Sequence, residues 1–148
     1  MGDLRWADVA AAFRADGSLR DIVVFGTDLA NWQRALDALR RWPLSYTVDG
    51  VAAPVPEAVE ALLDPGAARV LGVDLGGVVV NCHGFDEGEI EMDLDPREVR
   101  GQAALDLVAG FMAVLGRAVG RDVVLTDEGE RAGALLRFVL AGDRVRLG

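Results

Sequence analysis

Gly84 to Pro96 reads GFDEGEIEMDLDP, and its alternation determines how the rest of the chain is arranged. Glu89, Glu91, Asp93 and Asp95 alternate with Ile90, Met92 and Leu94. A period of two sets the acids on one face of a β-strand and the apolar side chains on the other. With a turn over Gly84–Gly88, this strand folds back on Val78–His83 and places His83 opposite Glu89, Asn81 opposite Glu91 and Val79 opposite Asp93. That register puts Asn81 and the only histidine on the acidic face. It turns Val80, Cys82, Ile90, Met92 and Leu94 toward a core.

Working outward, Gly76-Gly77 is a two-residue hairpin turn joining Arg69–Leu75 to Val78–His83, which makes the middle of the chain a three-stranded antiparallel meander. On the other side, Asp95-Pro96-Arg97-Glu98 carries an N-cap acid, a proline at the first helical position and a following glutamate, predicting a helix that runs to Val119. Leu105, Val108, Met112, Leu115 and Val119 form one apolar stripe on it, and Leu107, Phe111 and Val114 a second. Such a helix belongs on the sheet. Upstream, the pattern predicts a short helix from Leu4 to Phe13, a strand over Leu19–Phe25, a helix from Leu29 to Arg41, a strand over Leu44–Val48 and a short helix over Pro54–Leu63. Trp6 and Trp32 fall on the apolar stripes of the first two helices. Downstream come strands over Asp122–Thr126, Ala134–Leu140 and Arg144–Leu147. The expected class is α+β: one domain over 1–148, with a mixed sheet, a central antiparallel meander, and a long helix and shorter helices covering it.

The 148 residues are 51% apolar, enough for a core without staples, and the single cysteine, Cys82, leaves no internal disulfide. MGDLRWADV shows no basic and apolar leader, and no apolar run approaches the ~18–20 residues of a membrane span, so a cytoplasmic protein without a membrane partner is expected. All fifteen basic residues are arginine. Without lysine there is no Schiff base, no GxxxxGK[ST] phosphate loop and no lysine-dependent nuclease site. The net charge of −9 argues against direct contact with nucleic acid, whose phosphates demand a basic footprint.

Six of those negative charges, Asp86, Glu87, Glu89, Glu91, Asp93 and Asp95, lie in the opening stretch, leaving −3 for the remainder. Same-face neighbours on a strand sit ~6.6 Å apart, so each like-charge pair costs ~0.6 kcal/mol before salt screening. Three neighbours cost ~2 kcal/mol against a usual stability of ~5–15, which a fold tolerates. The ladder reads either as a solvated, charge-protected face or as a surface on which a basic protein relieves the repulsion. A histidine among carboxylates has its charged form favoured, so His83 should titrate above its ordinary ~6.5. Calcium lacks its D-x-[DN]-x-[DN]-G pattern here. Cys82 and His83 point to opposite faces, so they do not share a zinc ion. Ser18 and Ser45 stand outside any G-x-S-x-G, and an inward thiol is inert. No catalytic residue, metal ligand or cofactor is therefore assigned.

Phe111 to Gly129, FMAVLGRAVGRDVVLTDEG, followed by the strand ALLRF, resembles the closing part of immunity proteins of bacterial polymorphic toxin systems over residues 111–138. There a helix leads into a strand ending near T-x-E, here Thr126-Asp127-Glu128. The resemblance implies a cognate toxin, often a nuclease, held by an acidic surface that mimics phosphate. The expected function is non-catalytic binding of a basic protein, in the form of toxin inhibition. Asp86, Glu87, Glu89, Glu91 and Asp93 would supply the contact, with His83 and Asn81 at its edge. The alternatives are a small metal-assisted or carboxylate-based enzyme on the same face, and a structural or self-associating module that uses apolar surface; the oligomeric state is left open.

Overall fold

The computed structural model describes residues 4–148. Alternating and β-branched stretches become strands and the 3.6-period stretches become helices, in the order α1 (Trp6–Val9, continued by a 3-10 turn over Ala10–Phe13), β1 (Arg20–Phe25), α2 (Leu29–Leu39), β2 (Leu44–Val48), β3 (Val51–Ala52) and α3 (Val59–Leu62). The chain continues with β4 (Arg69–Asp74), β5 (Val79–Asp86), β6 (Glu89–Leu94), a 3-10 turn (Pro96–Glu98), α4 (Gln102–Val119), β7 (Val123–Asp127), β8 (Ala134–Val139) and β9 (Arg144–Leu147). The α+β class stands.

Among the described residues the strands form one sheet in the order β3-β2-β4-β5-β6-β1-β7-β8-β9. Every neighbouring pair is antiparallel, so the mixture of parallel and antiparallel pairing expected from the sequence does not occur. The physical reason lies in the two crossovers. β1 and β2 are joined through α2, and β6 and β7 through α4, but neither pair is adjacent. The meander β4-β5-β6 fills the first gap and β1 fills the second, and each inserted strand runs opposite to its neighbours.

One face of the sheet carries Ile22, Val24, Leu71, Val73, Val80, Cys82, Ile90, Met92, Leu94, Leu125 and Phe138, which join α1–α4 in a single apolar cluster. Gly116 lets α4 approach β8 so closely that a Cβ there would meet the Phe138 ring. By length and composition α4 could cross a bilayer, contrary to the expectation that no segment approaches that length, yet nine of its residues are buried in this core. The opposite face has no helix against it among the described residues. Val23 and Val124 are buried there, outside the main cluster.

Two of the expected helices differ most from the sequence reading. The helix expected from Asp95 to Val119 is two pieces. Asp95 caps only the Pro96–Glu98 turn, Glu98 Oε1 accepts from the Val79 backbone N–H at 3.1 Å, and Val99 is extended and buried before α4 starts after Gly101. Pro54–Leu63 is helical only over Val59–Leu62. The short edge strand β3 was not anticipated; it follows the turn Asp49-Gly50, both at positive φ (50° and 80°), which reverses the chain for pairing with β2.

Candidate functional site

The acidic hairpin is anchored from the helical side. Trp32, on the buried stripe of α2, donates its indole N–H to the carbonyls of Asp86 (3.2 Å) and Glu87 (3.1 Å), and Thr27 Oγ1 donates to the Glu87 carbonyl at 2.6 Å. Asp86 Oδ1 accepts from the Gly88 N–H at 2.9 Å and closes a turn over Glu87-Gly88. The turn is thus shorter than Gly84–Gly88, and β5 runs on to Asp86, with an irregularity between His83 and Asp86 that absorbs the extra residue. The observed partners are His83 with Glu91, Asn81 with Asp93 and Asp86 with Glu89. This corrects the expected register by two positions. A shift of two keeps every side chain on its face, so the assignment of faces survives the error.

On the helix-free face the structure brings together Glu89, Glu91, Asp93, His83 and Asn81. It adds an acid that the sequence reading passed over. Asp21 on β1 lies directly opposite Asp93, and Val23 and Phe25 lie opposite Glu91 and Glu89. The parity of β1 was the available signal: Ile22 and Val24 face the core, so Asp21 must face the other way. The turn acids Asp86 and Glu87 sit exposed at the hairpin tip, apart from this cluster. Asp95 leaves the ladder to cap the following turn and pairs with Arg97 at 2.7 Å.

Two basic side chains are already at the cluster. Arg131, from the β7–β8 turn, reaches Asp21 at 3.4 Å, Glu89 at 3.2 Å and Glu91 at 3.2 Å. Burial opposes its charge, but the hydrogen bond to Glu91 and the surrounding carboxylates outweigh that and hold the guanidinium above its ordinary value. No sequence pattern marks Arg131, which is brought in by tertiary contact alone. His83 Nε2 is 2.7 Å from Asp93 Oδ2, and its ring stacks on Phe85 with centroids 5.1 Å apart. The hydrogen bond to Asp93 raises the His83 pKa above its ordinary value, against the effect of desolvation. Four carboxylates facing one arginine and one histidine leave the cluster at a formal −3 with His83 neutral and −2 with it charged.

Cys82 is buried against Met92, and burial pushes its thiol up to about 12, so it is no nucleophile at neutral pH. Among the described residues no three His, Cys, Asp or Glu side chains converge to hold a metal ion. The T-x-E element acts as an internal fastener. Thr126 is buried, Glu128 Oε1 accepts from the Leu19 N–H at 2.8 Å, and Asp127 lies 3.5 Å from the buried Arg20 guanidinium. Compared with known proteins, the chain matches no family model, no curated protein and no solved structure.

Proposed function

We propose that this protein binds a basic protein partner through the helix-free face of its sheet and, in that role, inhibits a cognate toxin by covering the toxin's positively charged active-site cleft. The observation that carries the reading is the net negative charge left on that face, where Asp21, Glu89, Glu91 and Asp93 outnumber their partners Arg131 and His83. Phe25 (42% exposed) and Phe85 (72% exposed) flank it, aromatic side chains of the kind enriched at protein interfaces. Among the described residues helices cover the other face, which leaves this side of the sheet open for a broad contact. The likeness of Phe111–Gly129 to immunity proteins supports the toxin form of the reading.

The test uses the product of the neighbouring open reading frame. Titrating this chain into that protein should give a one-to-one complex that weakens as salt rises, since such attraction is screened. Glu91→Arg and Asp93→Arg should each weaken it by at least about tenfold, or ~1.4 kcal/mol. Perturbation of amide signals confined to α2 and α4 in place of β5, β6 and β1 would overturn the assignment of this face.

A further inference from the structure

The helix-free face is bipolar. Asp21, Glu89, Glu91 and Asp93 lie on β1 and β6, whereas Arg137, Arg144 and Arg146 lie on β8 and β9. Arg137 stands 3.8 Å from Asp122, and among the described residues Arg144 and Arg146 form no ion pair. At ~4.8 Å per strand, Glu91 on β6 is ~14 Å from Arg137 on β8. His83, Glu91, Val23, Val124, Arg137 and Arg146 occupy one row of register across β5-β6-β1-β7-β8-β9.

We propose that this face also binds a second copy of the chain, forming a two-fold dimer in which the acidic half of each sheet lies on the basic half of the other. A two-fold interface must be self-complementary. An axis lying in the face and running along the strands between β1 and β7 satisfies that requirement: it carries β6 over β8, β5 over β9 and β1 over β7. Because the row is shared, the rotation sets Glu91 against Arg137 of the second copy and His83 over its Arg146, the latter favourable only with His83 neutral, while the buried Val23 and Val124 lie under the axis without reaching the other copy. One rung along, Phe25 sits beside the axis and meets its own counterpart, while Asp86 and the exposed Phe85 lie over Arg144. Two sheets packed this way are aligned, one of the two arrangements that facing sheets adopt. The six strands offer roughly 600 Å² to each copy, below the ~800 Å² of a standard interface, so the dimer is weak and concentration-dependent. The inference does not depend on the toxin reading, but the two meet on the same acids, and a basic partner would compete with self-association.

Sedimentation of the wild-type chain at micromolar and millimolar concentration in low salt should show a shift from monomer to dimer that high salt reverses. Amide signals of Val23, Phe25, Val124 and Arg137 should move with concentration. Glu91→Arg and Arg137→Glu should each sediment as monomers, and mixing the two should restore a dimer, because in the mixed pair the two reversed charges face each other at one of the two symmetry-related 91–137 contacts and the native pair is kept at the other. Circular dichroism checks that both variants fold; if either does not, the concentration-dependent shifts of the wild type decide. A wild type that stays monomeric at millimolar concentration in low salt overturns the proposal. So does a dimer untouched by both substitutions, or shifts confined to the helical side. None of these measurements contains a toxin, so failure here leaves the binding reading standing, and failure of toxin binding leaves the dimer standing.

Discussion

His83 is where the chemistry of the open face is most directly measurable. Its pKa is raised chiefly by the hydrogen bond to Asp93, so the folded state holds the proton more tightly than the unfolded chain does. Stability from this pair is therefore fully present below the unfolded value of ~6.5 and is lost as pH rises through the higher folded value. His83→Gln should cost about 1.5–3 kcal/mol at mildly acidic pH, the range for a hydrogen bond to a charged group, and much less in alkaline solution, as chemical denaturation at the two pH values would show. An NMR titration placing the His83 pKa below ~6.5 would contradict the geometry. Cys82 gives a second residue-scale test. With its thiol buried and pushed up to about 12, it should resist iodoacetamide in the native protein and label readily in denaturant.

At the scale of elements, three glycines separate close approach from mere flexibility. A Cβ at Gly116 would meet the Phe138 ring, and one at Gly84 would meet the Leu62 carbonyl where α3 crosses β5. Gly116→Ala and Gly84→Ala should each lose about 1–3 kcal/mol of stability, the usual cost of overpacking a close contact. Gly110 lies in the same helix as Gly116, but a Cβ there meets nothing within 4 Å. Gly110→Ala should therefore gain up to ~1 kcal/mol from helix propensity. Opposite signs within one helix, read from denaturant melts, would confirm that α4 lies where its glycines imply. The strand hairpin shows how forgiving a period of two can be. The expected register was displaced because β5 extends to Asp86, yet the displacement was even, and each acid kept its face.

For the molecule as a whole, the open face balances charge by recruiting groups from distant parts of the chain. Asp21 is only 5% exposed and faces Asp93, a like-charge contact that Arg131 and the Gly129 N–H make tolerable. Arg131→Ala should cost about 1–3 kcal/mol by stranding that carboxylate, and Asp21→Asn in the same background should recover most of the loss. The Arg131–Glu89 and Arg131–Glu91 contacts are more exposed and contribute little by comparison. If the basic partner uses this face, the same Arg131→Ala chain should associate with it faster in low salt, because the face is then more negative.

The amino-acid sequence by itself determined where eight of the nine strands and the two long helices lie and which side of the central strands is buried, because these follow from local periodicity, but it missed β3, overextended α3 and ran α4 back to Asp95. Leu44–Val48, the meander and the apolar α4 are all legible on that basis. It also determined that Glu89, Glu91, Asp93, His83 and Asn81 share a face. Only the tertiary structure decided that β1 slots between β6 and β7, that the sheet is antiparallel throughout, and that Asp21 and Arg131 join the acidic cluster. It alone set Arg137, Arg144 and Arg146 on the far half of the same face. Strand order and ion-pair partners depend on contacts between segments far apart in the chain, and no local pattern encodes them.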